Sequence, residues 1–294
     1  MNGLPSGVWG VVATPFSGTG LDVDTASLAR LVRHYADIGV TGLTVLGVFG
    51  EAAQLSMAER ATVLRTVLDS VDLPLVVGAS SLGTAPVIEE VHQARSLAGD
   101  RLAAVMVQAN SASAEVLAAH LTAIREATGA DLVVQDYPLV SGVSIAKEQL
   151  AAAVVPGVVA IKAEAPPTPV AVAALRASGV PVFGGLGGLW LLDELAAGAA
   201  GAMTGFSFPE ALLSCTGAWH RGGYQPAREA LLPYLPLVNF EQQAGIALAI
   251  RKECLRSRGL IAESWVRPPA VSLPESLRAQ LATHLSALPG WLSE

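Results

Sequence analysis

Three lysines occur among the 294 residues, and one of them, Lys162, closes the apolar run Val158-Val159-Ala160-Ile161. Most other basic positions are arginine, so a lysine here is not simply the chain's usual surface cation. An ammonium at the end of a buried strand loses solvation, which lowers its pKa. A partly neutral amine in a pocket is the nucleophile that forms a Schiff base with a ketone. Two residues on, Glu164 shares the side-chain parity of Lys162 along an extended strand and can point the same way. A carboxyl in apolar surroundings can serve as base and then as acid. Gln135 ends another apolar run, Leu132-Val133-Val134. Its amide can orient a hydroxyl or a water but moves no proton at neutral pH. Plainer roles stay open: an ion pair between Lys162 and Glu164, a surface lysine, or a Gln135 amide satisfied by backbone.

The elements that must position these residues alternate along the chain. Strands are expected at Val8–Thr14, Gly42–Leu46, Leu75–Val77, Ala103–Val107, Leu132–Gln135, Val158–Lys162, Val182–Gly184 and Ala202–Thr204. Helical patterns fill 25–38, 57–71, 84–98, 114–127, 146–154, 169–177, 189–198 and 208–218. Asp24 or Thr25 can cap the first helix, and Ser56 with Glu59 reads as a capping box. Gly39, Gly129, Gly179 and Gly198 fall where helices should stop. Eight strand–helix pairs are the arithmetic of an α/β fold of the (β/α)8 TIM-barrel type. A doubly wound sheet fits less well, since no GxGxxG follows the first strand. The barrel is expected over 1–218. Residues 219–294 read as wholly helical, two or three helices packed on the barrel within one structural unit.

Composition narrows the partners. A chain with 52% hydrophobic residues can bury a barrel-sized core. The net charge of -7, with no cluster of basic and aromatic residues, argues against nucleic acid and anionic membrane surfaces. No apolar run reaches the roughly 18 residues of a spanning helix. Met1–Pro5 carries no basic region followed by an apolar stretch, so no signal peptide is expected. Cys215 and Cys254 lack ligand spacing and read as reduced, buried thiols of a cytoplasmic protein. The five histidines fall in helical stretches, and no metal site is expected. Arg251-Lys252 and Arg256-x-Arg258 share one terminal helix and read as a solvated or intersubunit face.

In a barrel the chemistry gathers at the carboxyl ends of the strands. There lie Thr14-Pro15, Gly47–Glu51, Gln108-Ala109-Asn110, Gln135–Pro138, Lys162–Glu164, Gly184–Gly188 and Thr204–Ser207. Phe49, Gly50 and Glu51 are expected at the substrate. Gly50 would let backbone N–H groups approach a carboxylate, or simply make a tight turn. For Glu51, holding the loop by accepting N–H bonds is favoured over catalysis. Gly185 would contact a hydroxylated tail through its backbone, or be a plain turn. Thr204 would offer its hydroxyl at the eighth strand end, or face the core.

Gly-x-x-Gly-Glu at Gly47–Glu51, Leu55-Ser56, Glu59-Arg60, Ala13–Phe16 and Ile161-Lys162 together resemble the dihydrodipicolinate synthase and N-acetylneuraminate lyase superfamily. The resemblance spans essentially the whole chain in order. It implies a (β/α)8 barrel, an imine between Lys162 and a small-molecule 2-oxo acid, no cofactor or metal, and a homotetramer or homodimer. Against that family's usual pattern, Val48 and Phe49 replace loop hydroxyls, Gln135 replaces a tyrosine, and Val140 stands in place of a carboxylate-binding arginine. Val134-Gln135-Asp136, Lys162-x-Glu164, Gly201–Gly205 and Leu235–Asn239 resemble instead the L-2-keto-3-deoxyarabonate dehydratase branch, which also carries Gln for Tyr and Glu two residues past its lysine. That likeness implies dehydration of a 2-keto-3-deoxy sugar acid, with Lys162, Glu164 and Gln135 as the catalytic group. A pyruvate-dependent aldolase and a non-catalytic binding barrel remain the alternatives.

Overall fold

Runs of Val, Ile, Leu and Ala too short for helices become strands, and all eight expected ones form. In a computed structural model describing residues 3–291 they are β1 (Gly7–Val11), β4 (Gly42–Val45), β5 (Leu75–Gly78), β6 (Leu102–Gln108), β7 (Leu132–Asp136), β8 (Val158–Ala163), β9 (Val182–Gly184) and β10 (Gly201–Thr204). Met1, Asn2 and residues 292–294, part of the terminal readings above, lie outside the described residues. The strands are all parallel, and β1 pairs with both β10 and β4, so the sheet closes into a barrel. Closure leaves no exposed sheet edge. A short antiparallel hairpin, β2 (Phe16–Ser17) with β3 (Asp22–Val23), interrupts the first loop. Two-residue strands carry too little pattern to be read from sequence.

Helices alternate with the strands: α1 (Thr25–Asp37), α2 (Met57–Ser70), α3 (Thr84–Ala98), α4 (Ala114–Thr128), α5 (Pro138–Ser141), α6 (Lys147–Ala152), α7 (Thr168–Leu175), α8 (Leu191–Ala196) and α9 (Pro209–Gly222). Their ends are chemically marked. Asp24 accepts a 2.9 Å hydrogen bond from the Ser27 amide to start α1, and Ser56 and Glu59 close the capping box of α2. Gly129 ends α4 in the left-handed conformation. On α1, Leu28, Leu31, Val32 and Tyr35 recur at helical spacing and are buried against the barrel. Each such side chain contributes about 1.5–3 kcal/mol of burial.

The carboxyl-terminal stretch departs from expectation. It forms four helices, α10 (Tyr224–Leu231), α11 (Leu235–Phe240), α12 (Ala247–Ser257) and α13 (Arg278–Ser286), with an irregular segment between the last two. Pro268, Pro269 and Pro274 fall in that segment and cannot continue a helix. These helices share an apolar cluster with the barrel: Leu237, Val238, Ile250 and Leu281 are buried with Val8, Ala202, Leu191 and Leu212. Among the described residues no helix is long and apolar enough to cross a membrane.

Candidate active site

Strand register builds the site. Gln108 on β6 is the ladder partner of Gln135 on β7, and Gln135 is the partner of Lys162 on β8. Three polar side chains therefore stand side by side at the carboxyl end of the barrel, all buried. They are joined: the Gln108 amide donates to Gln135 Oε1 at 2.7 Å, and Gln135 Nε2 donates to Glu164 Oε2. Lys162 Nζ lies 3.0 Å from the same Glu164 oxygen. The ion pair weighed from sequence is thus present, and it holds the carboxylate against the amine. Glu164 Oε1 lies 3.5 Å from the Leu186 amide.

Alternation along the strand sends the next residue the other way. Asp136 points out of the barrel, where it pairs with Lys147 of α6. Burial pushes its carboxyl up, and Lys147 opposes that rise. Lys252, the third lysine, is fully buried and paired with Glu51. Burial pulls its pKa down to about 8. Lys162 is the lysine that stands at the row of glutamines.

The second loop is a tight turn. Gly50 N–H donates to the Gly47 carbonyl at 3.0 Å, and Thr14 Oγ1 donates to the Gly50 carbonyl at 2.7 Å. Gly50 therefore uses its own N–H in the turn. The amides of Val48 and Phe49 have no acceptor among the described residues and are the ones available to an anion. Glu51, expected at the substrate, is turned away from it. Its oxygens accept from Lys252 Nζ and, at 2.8 Å, from the Arg267 amide, so it ties the loop to the carboxyl-terminal segment. Phe49 packs on Gly205, where an added Cβ would meet its ring at 2.4 Å. A cavity of about 200 Å³ lies between this loop and the glutamines, lined by Gly47, Val48, Met106, Gln108, Gln135 and Val140. Lys162 follows Gln135 on the neighbouring strand. A larger cleft of about 1230 Å³ opens among Phe208, Arg258 and Trp291, away from these residues.

The glycine loop serves the site through close approach. A Cβ on Gly185 would lie 2.3 Å from Glu164 Cγ, so only glycine lets the carboxylate occupy its position. Gly185 thus backs Glu164, a contact distinct from the tail contact expected of it. Thr204 accepts a 2.6 Å hydrogen bond from the Gly187 amide and holds the loop down.

Several groups escaped sequence reasoning. Gln108 sat in a noted segment but was given no role; its register with Gln135 was the missing signal. Arg251 and Lys252, read as a solvated or intersubunit face, are turned inward: Arg251 stacks over Phe49 at 5.7 Å, and its side chain is 13% exposed. Tyr137, near both Glu164 and Arg251, has its phenol pushed up by burial and by the Glu164 charge. Glu194, buried in α8, accepts from Thr168, and its Oε2 has no partner. Burial pushes its pKa up to about 7. Its sequence signal was placement on the same helical stripe as Leu191 and Leu195. Among the described residues no group of three or more His, Cys, Asp or Glu could hold a metal ion.

Known proteins are similar to this chain in sequence and in fold. L-2-keto-3-deoxyarabonate dehydratase of Azospirillum brasilense is 34% identical over 292 residues, covering 94% of this chain and 92% of its own. 4-Hydroxy-tetrahydrodipicolinate synthase of Bifidobacterium longum is 26% identical over 88% of this chain and 87% of its own. The crystal structure of dihydrodipicolinate synthase from Rhodopseudomonas palustris superposes with a TM-score of 0.88 at 30% identity, covering 98% of this chain and 99% of that one. The model of the dihydrodipicolinate synthetase family matches residues 4–288. With its closed barrel and its lysine on the sixth barrel strand, the chain belongs to the dihydrodipicolinate synthetase family, a family of lyases.

Proposed function

We propose that this protein is a Schiff-base hydro-lyase that removes water from a 2-keto-3-deoxy sugar acid, without metal or cofactor. The observation that carries the reading is the buried contact of 3.0 Å between Lys162 Nζ and Glu164, with Gln135 where a phenol would otherwise relay protons. The similarity to the A. brasilense dehydratase supports the same choice. Lys162 attacks C2 of the 2-oxo acid, and water leaves as the iminium forms. The amides of Val48 and Phe49 receive the C1 carboxylate. The iminium acidifies C3, and Glu164 takes a C3 proton to give the enamine. Glu164 returns that proton to the C4 hydroxyl, which departs as water. Gln135, fixed by Gln108, holds the Glu164 carboxylate and exchanges no proton. A proton shift from C5 to C3 then gives an enol, hydrolysis of the imine frees Lys162, and the enol ketonises to the semialdehyde. We further propose that the protein is cytoplasmic, as its cysteine usage suggests, and a homotetramer or homodimer, as the family resemblance implies.

Borohydride trapping with pyruvate tests the first step: mass should be added at Lys162 and be absent in Lys162→Ala. Labelling of Lys147 or Lys252 would overturn the assignment. Glu164→Gln should still form the imine while turnover falls roughly 10²–10⁴-fold, the usual contribution of a positioned acid–base group. A semialdehyde product marks the dehydratase, whereas released pyruvate marks an aldolase.

A further inference from the structure

We infer that Arg251 and Gln242 bind the oxygen atoms at the far end of the substrate's carbon chain, C5 and beyond. The inference rests on the Schiff-base reading and assigns the side of the site that Lys162 and Glu164 leave undefined. Both residues come from the carboxyl-terminal segment yet reach the glycine loop. A Cβ on Gly187 would lie 2.0 Å from Gln242 Nε2 and 2.9 Å from Arg251 Nη2. Gly187 also has φ of +68°, so glycine is required there for two reasons. The loop thereby connects Glu164, which leans on Gly185, to the two donors that lean on Gly187.

The donors are held and unspent. Arg251 Nε donates to Glu241 Oε2 at 3.2 Å, and Glu241 is itself fully buried and fixed by the Ser207 hydroxyl. That contact and the Phe49 ring orient the guanidinium, while Nη1 and Nη2 have no acceptor among the described residues. Gln242 Nε2 is buried and makes no hydrogen bond. Buried donors are nearly always paired, so an unpaired one beside a reactive site calls for an acceptor from outside the chain. Guanidinium and amide nitrogens only donate. They match hydroxyl or carboxylate oxygens and reject an apolar or ammonium tail. A chain with C2 on Lys162 and its C4 hydroxyl at Glu164 would continue along this loop, from Gly185 toward the donors at Gly187.

The test compares acids with and without a tail. Pyruvate ends at C3 and cannot reach Arg251, so borohydride trapping of pyruvate is the reference. Arg251→Met, Arg251→Lys and Gln242→Met should trap pyruvate like the wild type. Their kcat/KM should fall roughly 10–100-fold, carried by KM, on a 2-keto-3-deoxypentonate, the range of a hydrogen bond to a charged group. A six-carbon acid ending in a carboxylate, run in parallel, distinguishes the source of the oxygen. A larger loss on that acid in Arg251→Met marks a carboxylate tail, and a larger loss on the pentonate marks a hydroxyl tail. Gln242→Met leaves no buried charge unpaired, which guards against a folding artefact of Arg251→Met. Calorimetric binding of the same acids to Lys162→Ala reads the tail contact without an imine. Failure of wild-type trapping would therefore condemn the Schiff base and leave this inference testable. Equal losses on pyruvate and on the tailed acids, or none on either, would overturn it.

Discussion

Replacing Glu194 with glutamine should stabilise the protein at alkaline pH and leave it unchanged at acid pH. The carboxyl is fully buried behind β9, where a Cβ on Gly184 would lie 1.8 Å from its Oε2. Burial is the main cause of the rise from 4.5 to about 7; the Thr168 hydroxyl partly opposes it, and the Glu164 charge adds to it. Because the folded pKa is the higher one, the folded chain holds an extra proton between about pH 4.5 and 7. Stability from this group is therefore complete below that window, falls across it and stays low above it. A rise from 4.5 to about 7 corresponds to about 3 kcal/mol. Glutamine keeps the acceptor for Thr168 and never ionises. At about 2 °C per kcal/mol for a chain of this size, Glu194→Gln should melt about 6 °C above wild type once the window is passed. Scanning fluorimetry from about pH 5 to about pH 9 reads the gap. A gap that does not change with pH, or a wild type that melts higher at alkaline pH, would refute the reasoning.

Gly185→Ala should drive Glu164 off Lys162 and Gln135, because the new Cβ meets Glu164 Cγ at 2.3 Å. Turnover should fall by roughly 10²-fold, as for a misplaced catalytic group, with pyruvate trapping retained; unchanged turnover would show that the carboxylate relaxes freely. Lys252→Met leaves Glu51 buried and unpaired and should cost about 3–5 kcal/mol of stability. A thermal melt should show most of that loss recovered when Glu51→Leu is added. Condensation of pyruvate with aspartate semialdehyde should be negligible in a coupled assay, since Val140 cannot pair with a second carboxylate as an arginine would.

Strand and helix positions were legible because short unbroken apolar runs and period-3.6 patterns report burial directly, and the caps at Asp24, Ser56 and Gly129 mark helix ends by local chemistry. Lys162, Gln135 and Glu164 were legible as polar side chains ending or following apolar runs. What lay hidden was long-range. Glu51 meets Lys252 and Arg267 across some two hundred residues of chain, and no local pattern distinguishes an arginine in solvent from Arg251 stacked on Phe49. Gln108 depended on register between strands, which a list of strands does not contain. The irregular segment before α13 was misread because its apolar residues have helical spacing while its prolines forbid the helix.

The alignment of Gln108, Gln135 and Lys162 is set by main-chain pairing alone, with no loop needed to assemble it. Such a row behaves as a keyboard: each strand offers one inward key at the same height, and a key can be changed while the frame stays still. A phenol in place of the Gln135 amide would meet the same amine and the same carboxylate. This makes the side chain beside the amine and the carboxylate exchangeable within a fixed backbone. One rung of the sheet can therefore change the group that faces the lysine and the carboxylate, while the lysine and the frame around it are kept.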